Sequence, residues 1–190
     1  GVGEKRPPRG GGSGAAKLKI CIELHVYVAL NGKNKLDIHQ TNKAPFMSNP
    51  KYQLFISSTF KDLTEERQAV SRAILNLGHI PAGIEFFPAS DTEQLTYIKK
   101  NIDNCDYYIL IIGGRYGSTT SEGLSSTELE YDYAVETNKP ILAFLYADVG
   151  NISSKDVEAD SDKRKRLEAF REKVSTGRVV EFWNSITDLE

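Results

Sequence analysis

Three short stretches of the chain carry side chains with chemistry to do. The first is Ser57-Ser58-Thr59, inside YQLFISSTFKD. Three consecutive hydroxyl residues stand between an apolar run and a helical pattern. Beside the free N–H groups of a helix start they would suit an anion or a ribose phosphate. The same residue types are also the preferred helix caps, and Thr59 with Asp62 has nearly capping-box spacing. The second stretch is GGRYGSTTSEG, residues 113–123. Gly114 and its neighbours would let the backbone approach a ligand closely. Arg115 can clamp a phosphate or carboxylate, and Tyr116 offers a stacking face. The loop is neither a Walker loop nor a GxGxxG turn, and Arg115 could equally pair with a neighbouring carboxylate.

The third stretch is SSTELEYDYA, residues 125–134, with three acids in one helix start. Ser125 and Glu128 fit S-x-x-E, so Glu128 is expected to close a capping box. Thr127, Tyr131, Ala134 and Val135 share one helix face, expected against the sheet. Glu130 flanks that face one turn nearer the helix start and is expected to point over the strand ends. Asp132 is expected to be solvated. A carboxylate near a helix N-terminus stays ionised more easily. It can attack a sugar carbon or accept hydrogen bonds from ribose hydroxyls. Acids in first turns are also common for the dipole alone.

These side chains need elements to hold them. YQLFIS (52–57), HIPAGIEFF (79–87), DYYILIIGG (106–114), PILAFLY (140–146) and RVVEFW (178–183) read as strands. Residues 61–77 place Leu63, Val70, Ile74 and Leu77 at helical spacing, stopped by Gly78. Further helices are expected over 91–105, beginning at a capping Asp91, from the SSTELEYDYA stretch, and over 161–175. The alternation predicts an α/β, doubly wound, mostly parallel five-stranded sheet of the flavodoxin-like kind, in the order 2-1-3-4-5. Ligands of such sheets bind outside the carboxyl ends of the strands, at the switch point between strands 1 and 3, where the three stretches should meet.

Composition narrows the function. Residues 1–46 hold eight of the 24 basic and three of the 26 acidic residues, so 47–190 carries a formal charge of −7. An acidic domain is a poor partner for nucleic acid. The basic run KRKR (163–166) is flanked by Asp160, Asp162, Glu168 and Glu172 and reads as a solvated helix face. No run reaches the ~20 apolar residues of a membrane span. Cys21 and Cys105 are isolated, which fits a reducing cytoplasm, and Cys105 reads as a small core residue. There is no H-x-x-x-H, HExxH, Cys/His cluster or EF-hand loop, so no metal is expected. No resident cofactor is expected either.

The first 46 residues begin GVGEKRPPRGGGSGAA, of linker composition, and the single Met is Met47. They are expected to be a leader or upstream sequence, although LKICIELHVYVAL (18–30) partly alternates like a strand. The domain is expected over 47–190, as a piece of a longer protein.

Together, YQLFISSTFKDLTEERQAV, GGRYGS and STELEYDYA resemble a domain of unknown function related to TIR domains, over about residues 50–185. The resemblance implies an N-terminal module followed by a NACHT- or AAA-type NTPase, in signalling, innate-immune or antiphage-defence proteins. The fold also looks like that of nucleoside 2-deoxyribosyltransferases, whose nucleophilic Glu lies in a T-x-x-E-x-x-x-A helix start. Thr127, Glu130 and Ala134 match that spacing, although Thr127-Glu128 stand where TIR domains carry an aromatic-Cys pair. The resemblance implies that NAD or a nucleotide binds as substrate, with phosphates on Ser57, Ser58, Thr59 and Arg115 and with Glu130 at the ribose. It also implies activity on self-association. A non-catalytic interaction module and a deoxyribosyltransferase-like enzyme are the alternatives. An enzyme needs an open crevice with Glu130 facing Arg115, whereas an adaptor could have that crevice filled by Tyr116 or Tyr131.

Overall fold

A computed structural model describes residues 50–60, 62–83, 91–148, 152, 157–176, 178 and 180–190, with only the backbone of 91–94. Strands β1 (Gln53–Ser58), β2 (Ile80–Gly83), β3 (Tyr107–Ile112), β4 (Ile141–Tyr146) and β5 (Val180–Trp183) form one sheet. Their order is β2-β1-β3-β4-β5 and every pairing is parallel, so the fold is doubly wound α/β as the alternation predicts. The helices are α1 (Thr64–Asn76), α2 (Asp91–Asn104), α3 (Ser126–Glu136) and α4 (Ser161–Ser175), with a final 3-10 turn at Ile186–Asp188.

The two-residue period of the strands sorts the core into two layers. Leu54, Ile56, Tyr107, Ile109 and Ile111 face α1, packing with Leu63, Val70 and Ile74. Phe55, Tyr108, Leu110 and Ile112 face α2, α3 and α4, packing with Ile102, Tyr131 and Phe170. All six residues of β3 are buried, as a central parallel strand covered on both faces requires. Each such aliphatic side chain contributes about 1.5–3 kcal/mol on leaving water. Gly78, at φ 81°, ends the first helix; its N–H bonds the Leu75 carbonyl, and the His79 N–H bonds that of Ile74. A left-handed residue after a helix is where glycine costs least.

Several expectations shift. The first helix starts at Thr64, not Lys61, after Leu63 as its N-cap with no side-chain cap. The Ser57–Thr59 hydroxyls therefore do not cap it. The second strand is described only over Ile80–Gly83, preceded by His79, and residues 84–87 lie outside the described residues. So do residues 1–46, Met47 and the side chain of Asp91. Cys105 is a buried core residue whose thiol is pushed up to about 11, first by burial. Among the described residues no helix is long and apolar enough to cross a membrane, and none form a cluster of potential metal ligands.

Candidate functional site

The site lies where β1 and β3 end side by side, with Ser57 opposite Leu110 and Ser58 opposite Ile111. The strand period sends the two serines to opposite faces. Ser57 shares the face of Phe55 and Tyr108, whose rings stack at 5.8 Å, and meets α3. Its hydroxyl donates to Glu130 Oε2 at 2.6 Å. Ser58 turns to α1, where Arg67 Nη1 donates to its Oγ at 2.9 Å, while the Ser58 hydroxyl donates to the Thr59 carbonyl.

Glu130 is only 2% exposed. Burial pushes its carboxyl up to about 7, against the Ser57 hydrogen bond and the Arg67 charge, which favour the anion. Its hydrogen-bond donor is thus a neutral hydroxyl, and its cation acts from the far face of the sheet. The Tyr108 hydroxyl shares this enclosure and makes no hydrogen bond of good geometry among the described residues. Burial and then Glu130 hold it well above its ordinary range.

Glu128 lives differently. Ser125 does cap the helix, its Oγ accepting from the Glu128 N–H at 3.1 Å. The Glu128 carboxylate, expected to close the box, goes elsewhere: Tyr116 Oη donates to it at 2.6 Å and Lys173 Nζ at 3.0 Å. Asp132, expected to be solvated, is half-exposed and paired with the same lysine at 2.6 Å. Thr127, Tyr131 and Ala134 pack inward as expected, while Val135 is exposed.

Tyr116 is 2% exposed, so its ring fills space instead of offering a stacking face. Beside it a cavity of about 10 Å³, lined in part by Thr59, Arg115, Tyr116, Thr127 and Phe170, has room for about one water. The buried Thr59 Oγ1 has no hydrogen-bond partner among the described residues. Gly117 holds φ 89°, and a Cβ there would come within 2.9 Å of the Thr59 methyl, so glycine permits this close approach. Glu158 already engages the loop: its N–H bonds the Gly114 carbonyl at 2.8 Å, and its carboxylate accepts the Tyr116 N–H at 3.2 Å. From α4, Lys163 Nζ donates to the Gly117 carbonyl at 3.1 Å, so the KRKR run is in part a clamp on this loop.

Of the expected site residues, Ser57 and Glu130 form one enclosure, while Ser58 lies on the other face of the sheet against Arg67. Thr59, Arg115 and Tyr116 line the adjoining cavity, and Gly114 anchors Glu158. Arg67 and Tyr108 were not expected. Arg67 left a signal, since it falls on the apolar stripe between Leu63 and Val70. Tyr108 left a weaker one, a phenol in a run that must be buried on both faces.

A doubly wound α/β domain with a sealed carboxylate at its switch point is the class these features define. Residues 53–190 match the family model described as a domain of unknown function, DUF4062, and the chain belongs to that family. Among curated proteins no match is found.

Proposed function

We propose that this domain is a TIR-like signalling or defence effector module that binds an NAD-like nucleotide at the carboxyl edge of the sheet and cleaves its N-glycosidic bond. The observation that carries the reading is Glu130: a carboxylate 2% exposed, held by a neutral hydroxyl at the switch point. Such a group costs stability and is not needed for packing, and perturbed acids of this kind gather at functional sites.

In this reading the ribose sits against Ser57 and Glu130, with phosphates toward Thr59 and Arg115. The C1′–N bond breaks, its electron pair leaving with nicotinamide. Ionised Glu130 stabilises or attacks C1′, and water completes hydrolysis with release of a proton. The ~10 Å³ cavity admits no nucleotide, so Tyr116 must swing out and Glu158 must yield the Tyr116 N–H. Self-association, and an NTPase domain following in the same protein, would supply the trigger.

The test is nicotinamide release from NAD by concentrated protein clustered on beads, beside Glu130→Ala. Release by the native protein alone supports the reading. A non-catalytic interaction module is favoured by one observation, the buried Tyr116 ring latched to Glu128 at 2.6 Å. Absence of release from both proteins decides for it. Transfer of the ribosyl group to a second base, in place of water, would point to a deoxyribosyltransferase-like enzyme.

A further inference from the structure

Arg67 is 3% exposed, on the apolar stripe of α1. A guanidinium taken out of water is costly and is kept where it is used. Its Nη1 donates to Ser58, and the next residue back, Ser57, donates to Glu130. The two serines face opposite sides of the sheet, so α1 and α3 grip the same end of β1 from either side. We propose that Arg67 is a positioning residue for Glu130. It fixes Ser58, and with it the Ser57 hydroxyl that holds the carboxylate, and it supplies the positive charge in whose field Glu130 ionises.

The groups around Glu130 leave this role to Arg67. β1 contributes only the neutral Ser57. β3 contributes Tyr108, a neutral phenol that burial and then Glu130 hold still further above its ordinary range. On α3 itself stand Tyr131 and Asp132, and Asp132 is bound to Lys173. Arg67 is the cation that favours the ionised form of Glu130. The inference rests on the nucleotide-cleaving reading only for the use made of an ionised Glu130.

The test needs no substrate. Stability is measured against pH for the native protein and Glu130→Gln, and the difference gives the pH at which Glu130 ionises. The same pair is then made with Arg67→Gln, which keeps a donor for Ser58 without the charge, and with Arg67→Lys, which keeps the charge. Arg67→Gln is expected to move the midpoint up by roughly one unit or more. Arg67→Lys is expected to leave it near the native value. An unmoved midpoint in Arg67→Gln, or an equal rise in both, would overturn the proposal. Arg67→Met provides a second uncharged variant should Arg67→Gln not fold. Lack of NAD cleavage would sink the functional reading and leave this titration standing.

Discussion

Glu128 and Glu130 lie two residues apart on one helix, and their surroundings have opposite logic. Glu128 has a phenol and a lysine on its carboxylate, and its side chain keeps some contact with water. Glu130 has one serine hydroxyl and almost no water. The first arrangement satisfies a charge and tethers a loop to the helix bundle. The second leaves a charge costly to form. Two residues advance a helix by about 200°, so one acid looks toward α4 and the loop while the other looks back over the strand ends. A helix can therefore carry a well-partnered acid and a desolvated one in the same turn, told apart by what each one touches.

The sharpest way to break the comparison is activity. Glu130→Gln is expected to lower NAD cleavage by about two orders of magnitude or more, while Glu128→Gln keeps most of it. Equal losses in a cleavage assay would remove the distinction. Stability should separate the two acids in the opposite direction. The carboxyl of Glu130 lies at about 7 in the fold against 4.5 as its ordinary value, so the folded state holds the extra proton between those two pH values. The contribution is full below pH 4.5 and is lost as pH rises through 7. Above that, ionised Glu130 costs on the order of 3 kcal/mol. Denaturant titration at pH 8 should then find Glu130→Gln more stable than the native protein, with the gain vanishing near pH 4.5.

Glu128→Gln and Tyr116→Phe are each expected to destabilise by about 1–2 kcal/mol at pH 7, as a charge-assisted buried hydrogen bond is broken. Chemical denaturation checks this, and a double-mutant cycle should show the two coupled. Lys173→Met is expected to cost below about 1 kcal/mol, because the lysine is half-exposed and screened. A larger loss, seen in the same denaturation curves, would mean that the lysine matters more to the loop than Tyr116 does.

The fold was legible because strand and helix periods are local properties. The continuous apolar run of Tyr107–Ile112 and the stripe of Leu63, Val70 and Ile74 identify their elements without knowledge of the rest. Glu130 was legible as well, since its place beside a buried helix face follows from spacing. Its pairing with Ser57, 73 residues away, follows only from the β1–β3 register. The destinations of the Glu128 carboxylate and the Tyr116 ring were hidden for the same reason. S-x-x-E describes one turn of helix, whereas Tyr116 and Lys173 arrive from a loop and from α4. Arg67 stood in plain view on the stripe, but an arginine there reads as a gap in the pattern until the Ser58 hydroxyl beneath it is known.

The most direct measurement is nicotinamide release from NAD by bead-clustered native protein and Glu130→Gln, at pH 6 and pH 8, with folding of both checked in the same buffers. The account predicts release by the native protein that rises between these pH values as Glu130 ionises, and none above background from a variant at least as stable at pH 8. Equal release by both proteins, or none by either, would contradict it.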